Sequence, residues 1–142
     1  MPTFEPTQFN STNLSQALQE NTGLVVLRFT ATWCGPCKRI DPVIQQWIKT
    51  MPSSVHFYTL DVDKNPDIYT FLKSKKRVNG IPALLCYKSG NNTYIPDEFV
   101  VDGDLTRVNR FFVKISELIS ASASSSSSSF PLQKAVQQAR QA

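Results

Sequence analysis

The 142-residue chain has little of the chemistry that staples or anchors small proteins: three cysteines, one histidine, and no run of 18 apolar residues. Three cysteines cannot build a disulfide framework, and Cys34 and Cys37 lie too close in sequence for a bridge to close a useful loop. A structural zinc site needs four ligands, and one cysteine pair, a third cysteine in another segment and the lone His56 do not supply them. No metal is expected. The missing long apolar run excludes a membrane-spanning helix. The N-terminal MPTFEPTQFN has neither a basic start nor an apolar stretch of roughly 7 to 15 residues, so no secretion signal is expected. The sequons at Asn10, Asn13 and Asn91 then read as chance. A net charge of +4 is mild and its basic residues form no long stripe, which argues against a nucleic-acid partner. These absences together predict a reducing, cytoplasmic compartment.

What is present suits one folded domain. With 41% hydrophobic residues, nine phenylalanines and two tryptophans there is material for a real core, concentrated before residue 120. A chain of this size buries roughly 68 to 70% of its unfolded surface, so it needs no staples.

Hydrophobic periodicity orders the chain. Asn13 to Glu20 reads as a short helix capped by Ser11 or Thr12. LVVLRFT at 24 to 30 reads as a buried strand, interrupted only by Arg28. From Gly35 the period becomes helical, with Ile40, Val43, Ile44, Trp47, Ile48 and Met51 on one stripe and Pro42 inside it. VHFYTLDV at 55 to 62 returns to strand chemistry, and Asn65-Pro66 then reads as a cap followed by proline at the first helical position. That helix ends in the basic run KSKKR at 73 to 77. IPALLCY at 81 to 87 reads as another buried strand, and Tyr94 to Asp102 as a last one interrupted at Pro96-Asp97. Leu105 to Ile119 carries the clearest helical stripe. A right-handed crossover makes the first two strands parallel and the last two can pair as a hairpin, predicting an α/β fold with a mixed sheet flanked by helices. The domain is placed at 1–120. Residues 121–142 are expected to form a serine-rich linker and a short tail, either disordered or a small docking helix.

The cysteines carry the chemistry. Cys86, between Leu85 and Tyr87 in a buried strand, reads as a small apolar filler, and His56 as a strand residue near the edge. In WCGPCK at 33 to 38, Cys34 leaves a strand and Gly35-Pro36-Cys37 opens a helix, so its sulfur faces unpaired amide donors and the positive end of the helix dipole. Such a setting lowers a cysteine pKa from about 8.5 toward roughly 3.5 to 7.5, where the nucleophilic thiolate is available at neutral pH. Cys37, inside the first turn, is better placed to resolve than to attack.

WCGPCK, the strand before it, Pro42 in the following helix, DVDKNP at 61 to 66 and GIP at 80 to 82 together resemble the thioredoxin family over roughly residues 10 to 120. The resemblance implies a thioredoxin fold of four or five strands and about four helices. It also implies a cis peptide bond at Ile81-Pro82 facing the cysteine pair. Trp33, Gly35, Pro36, Ile81 and Pro82 would form a docking surface for an extended substrate segment, with Gly103 at its rim. Core packing for Trp33 and an ordinary trans strand start for Pro82 are the bland alternatives. The implied activity is thiol–disulfide exchange: Cys34 attacks a protein disulfide, a mixed disulfide forms, and Cys37 releases the reduced substrate. An upstream reductase or small thiols would regenerate the dithiol, and no cofactor is implied. The alternatives are an oxidant or isomerase, and a non-catalytic adaptor.

Two positions depart from the family pattern. Where the family commonly carries a buried aspartate beneath the cysteines and a lysine on the next strand, this chain carries Arg28 and Thr59. Arginine stays protonated and cannot accept a proton. Arg28 is expected to pair with Asp61 or Asp63 or bend its head to solvent, or else to stabilise a thiolate and tune the redox pair, or to mark decayed catalysis. The helix before Gly80 and the hairpin segment NNTYIPDE at 91 to 98 read as insertions, and the basic run leading to Gly80 suggests acidic substrate segments as well as a merely solvated helix end.

Overall fold

The computed structural model describes residues 3–4 and 8–128, with side chains described over 8–121. Two compact units are distinguished, Met1–Phe112 and Val113–Ala142, and the sheet and the cysteine pair belong to the first. Its elements are β1 (Thr3–Phe4), α1 (Ser11–Gln19), β2 (Leu24–Thr30), α2 (Gly35–Ile48), β3 (Val55–Asp61), α3 (Pro66–Ser74), β4 (Ala83–Lys88) and β5 (Glu98–Val100). The helix α4 (Leu105–Ser128) begins there and continues in the second unit.

The five strands lie in the order β1-β3-β2-β4-β5. β1, β3 and β2 run parallel, whereas β4 is antiparallel to β2 and β5 to β4, which is the mixed sheet that the strand chemistry predicts. Alternation along central β2 sends Val25, Leu27 and Phe29 into one core with Leu14 and Leu18 of α1 and Ile68 and Leu72 of α3. The intervening Arg28 is carried to the opposite face, where it meets α2. On that face Phe112 stacks on Trp47 (centroids 5.5 Å apart) and on Phe57 (6.4 Å).

Several boundaries differ from the sequence reading. Asn10, not Ser11 or Thr12, caps α1, in a reciprocal box with Asn13: each side-chain oxygen accepts the other's backbone N–H at 2.9 Å. Asn65 does occupy the cap position of α3, but its side chain turns away, accepting from Phe9 N at 2.6 Å and donating to the Asp61 carbonyl at 3.0 Å. β5 is three residues long, not nine. Asn91 Oδ1 accepts from Thr93 N and Oγ1, Thr93 Oγ1 accepts from Ile95 N, and Tyr94 sits at φ 65°, so local side-chain bonds replace the ladder there. β1, two residues long, has no detectable period.

α4 runs through Ser128, into the serine-rich run predicted to be a linker. Serine is a middling helix former, but extending an existing helix needs only propagation, not nucleation. Of the expected tail, residues 129–142 lie outside those described.

Candidate active site

Cys34 is the N-cap of α2, with β-region backbone angles (φ −90°, ψ 107°). Its sulfur accepts the Cys37 backbone N–H at 3.2 Å, taking the place of the oxygen an ordinary cap residue would offer. Proline at the start of the helix costs nothing, because that amide would be an orphan donor in any case. Cys34 and Cys37 are bonded to one another as a disulfide, their Cα atoms 5.3 Å apart. Both are buried, but unequally placed: Gly35 and Pro36 beside them are exposed, whereas Cys37 is 1% exposed within the first turn.

Around the pair the structure brings together Trp33, the Ile81-Pro82 loop and Gly103. Trp33 is 66% exposed and its indole N–H donates to Asp63 Oδ2 at 2.8 Å, so it is not a core residue. Ile81-Pro82 is cis, Pro82 is buried, and Ile81 packs with Val62 against the cluster of Ala31, Cys34 and Cys37. Gly103 abuts Pro36: a Cβ there would lie 2.9 Å from the proline Cβ, closer than such atoms approach, so only glycine fits without a shift. Asp63 and Gly103 were thus joined to the motif by folding, from segments 30 and 67 residues downstream of Trp33 and Pro36.

Beside Cys37 lies a cavity of about 370 Å³, open to solvent and bordered by Cys37, Arg28, Asp41, Thr59 and Asp61. Arg28 is 4% exposed, so it does not reach for solvent. Its partner is Asp41, not Asp61 or Asp63: Nη1 donates to Asp41 Oδ1 at 2.7 Å, and Nη2 reaches the Cys37 carbonyl at 3.5 Å. Asp61 instead accepts the Asp63 amide at 2.9 Å, and Asp63 accepts from Trp33. The reason is direction: β2 presents Arg28 to the face covered by α2, and Asp41 stands one turn beyond Cys37 on that helix. Asp41 is the residue sequence reasoning missed. The signal was its i+4 spacing from Cys37 together with the need of a buried arginine for a counter-ion. Thr59 is the direct strand partner of Arg28 and borders the same cavity. Arg28 Nε has no hydrogen-bond partner among the described residues.

Cys86 takes no part. It lies in β4, and burial, with Asp97 and Glu98 nearby, pushes its pKa up to about 12. After reduction, iodoacetamide at neutral pH is therefore expected to label the Cys34/Cys37 pair and to reach Cys86 only on unfolding; prompt labelling of Cys86 in the native protein would contradict this. The same shift predicts alkaline destabilisation. Above about pH 9 the unfolded chain releases the Cys86 proton while the folded one retains it, so stability falls until about pH 12, by up to about 4 kcal/mol. Cys86→Ala should remove the fall that begins near pH 9 and leave a shallower one above about pH 10, where burial likewise holds the Tyr87 phenol protonated in the folded chain; chemical denaturation measured against pH checks this.

Among the described residues no group of His, Cys, Asp and Glu could hold a metal, and no helix is long and apolar enough to cross a membrane. The sheet, the helix-capping dithiol and the cis-proline loop define a thiol–disulfide oxidoreductase. The thioredoxin family profile matches residues 5–107. Thioredoxin-1 of Saccharomyces cerevisiae is 39% identical over 84 residues, covering 59% of this chain and 77% of the yeast protein. Thioredoxin-2 of the same yeast is 41% identical over 81 residues, covering 57% and 73%. Trichomonas vaginalis thioredoxin superposes with a TM-score of 0.60 at 30% identity, over 80% of this chain and 96% of that one. Reduced Schistosoma mansoni thioredoxin pre-protein gives 0.61 at 26% identity, over 81% and 99%. The chain belongs to the thioredoxin family, and its activity is protein-disulfide reduction.

Proposed function

We propose that Cys34 is the attacking thiol and Cys37 the resolving one. The observation that carries this is the cap geometry: the Cys34 sulfur accepts the first-turn amide of Cys37, where backbone donors and the helix dipole stabilise negative charge. In the reduced protein Cys34 thiolate attacks one sulfur of a substrate disulfide, and the other sulfur leaves with the electron pair. Cys37, deprotonated, then attacks Cys34, forming the intramolecular disulfide and expelling the second substrate sulfur. Two electrons pass from the dithiol to the substrate. An upstream reductase or small thiols return them.

Trp33, Gly35, Pro36 and the Ile81-Pro82 loop form the docking surface in this reading. Trp33 offers an exposed ring held by Asp63, and Gly103 closes the rim against Pro36. Cys37→Ser tests the assignment: it is expected to accumulate stable mixed disulfides through Cys34, detected by non-reducing electrophoresis and mass spectrometry. Trapping through Cys37 in a Cys34→Ser protein, and not the reverse, would overturn it.

The basic run Lys73, Lys75, Lys76 and Arg77, expected to favour acidic substrate segments, lies away from the docking loop. Lys75 Nζ stands 5.5 Å from the Phe71 ring centre, Phe71 meets Tyr94 edge-on at 5.1 Å, and the Tyr94 carbonyl accepts the Tyr87 hydroxyl near the Lys88 end of β4, opposite the Ala83 end that follows the cis-proline. The run reads there as a solvated helix end, where positive charge suits the dipole. The cytoplasm is the compartment this chemistry suits, since the dithiol must be kept reduced.

The pairing of Arg28 with Asp41 favours the reductant over the oxidant reading. A guanidinium neutralised by its own carboxylate offers less stabilisation to a thiolate than an unpaired one. A measured potential near that of reducing dithiols, rather than near strongly oxidising ones, is the expected result.

A further inference from the structure

Resolution demands that Cys37 lose a proton, and the structure buries that thiol almost completely. Arg28, which borders the same cavity from β2, cannot take it. Two carboxylates border the cavity, Asp41 on α2 and Asp61 at the end of β3; Lys38 and Arg28 are the cationic groups there, and Thr59 is uncharged. Asp41 follows Cys37 by four residues on one helix, where side chains are neighbours about 5 to 6 Å apart at Cβ. Its Oδ1 is engaged, by Arg28 Nη1 at 2.7 Å and Gln45 Nε2 at 3.4 Å, whereas its Oδ2 has no hydrogen-bond partner among the described residues. Its side chain is 45% exposed, so a proton received there has a way out to solvent. Asp61 Oδ1 accepts the Asp63 amide at 2.9 Å, and Asp61 stands at the end of β3, not on the helix that carries Cys37.

We propose that Asp41 is the proton acceptor for the resolving step, with Arg28 as the residue that positions it. This rests on Cys37 being the resolving thiol. In the mixed disulfide, the Cys37 thiol passes its proton through cavity water to Asp41 Oδ2. The cavity, about 370 Å³, has room for such water. The Cys37 thiolate attacks Cys34 Sγ, the bond between Cys34 and the substrate sulfur breaks, and that sulfur leaves as a thiolate with the electron pair. The Asp41 carboxyl then gives its proton to solvent, and the substrate thiolate takes one up. The buried arginine thus acquires a purpose: it fixes one carboxylate oxygen of a residue that borders the cavity and leaves the other unengaged.

The test is single-turnover reduction of a protein disulfide, with acid quenching to count mixed disulfide against product. Asp41→Asn keeps an oxygen for Arg28 but removes the base. It should leave the first attack as it is and slow resolution about 100-fold near neutral pH, the deficit closing as pH rises and on addition of small bases such as imidazole or formate. Asp41→Glu should restore much of the rate. Arg28→Met/Asp41→Asn, which leaves no unpaired buried charge, should show the same pH-dependent deficit, separating base loss from misfolding. Resolution by Asp41→Asn at the native rate across the pH range, or transfer of the deficit to Asp61→Asn, overturns the proposal. Failure of the native protein to form any mixed disulfide through Cys34 would instead overturn the parent assignment, and this proposal with it.

Discussion

Cys34→Ser is expected to reduce protein-disulfide reduction to the uncatalysed background, a loss of at least about a thousandfold, or about 4 kcal/mol in the barrier. The cap position of α2 stabilises an anion only if the side chain can supply one, and a serine hydroxyl does not ionise near neutral pH. It also cannot form the mixed disulfide through which the electrons travel. The fold should survive, because serine is itself a preferred cap and its oxygen can accept the Cys37 amide that the sulfur now accepts. The measurement is turnover of insulin with a small-thiol reductant, alongside circular dichroism. Residual activity within tenfold of native would remove Cys34 from the attacking role.

The second large effect is an asymmetry between two ends of one ion pair. Arg28 and Asp41 are bonded at 2.7 Å, but the arginine side chain is 5% exposed and the aspartate 45%. Removing the aspartate strands a buried guanidinium whose Nε already lacks a partner. Asp41→Ala is therefore expected to cost about 2 to 3 kcal/mol, at or just below the bottom of the range of about 3 to 5 kcal/mol for breaking a fully buried pair, because the cavity is open to water. Removing the arginine leaves a carboxylate that solvent can reach, and Arg28→Met fills similar volume without the orphaned donor. That change should lie within about 1 kcal/mol of native stability, on either side. Urea unfolding of the two variants settles the order. Equal losses would mean that the pair is not buried at its arginine end in solution.

The asymmetry shows why the site was only partly legible in the sequence. WCGPCK announces a helix opening on a cysteine, because glycine and proline there and the apolar stripe that follows are local signals. Arg28 is equally visible as a misfit in an apolar run, yet the sequence points to Asp61 and Asp63, at and just beyond the end of the adjacent strand, as its partners. Asp41 wins because the alternation of β2 turns Arg28 toward α2, while Asp63 is taken by Trp33 and Asp61 by the Asp63 amide. Side-chain competition of this kind involves residues 13 to 35 positions apart and has no period to read. β5 was overread for a related reason: Asn91 and Thr93 satisfy the backbone locally, so the residues before Glu98 had an alternative to the sheet.

By itself, then, the sequence determined the order of strands and helices after β1, the dithiol at a helix start and the family, because each depends on periodicity or on neighbours within a few residues. The tertiary structure alone decided which carboxylate meets Arg28, that the indole of Trp33 is held outward by Asp63, and that Gly103 closes on Pro36. Those outcomes depend on which faces the crossovers bring together, and a buried charge must take whichever partner packing puts within reach.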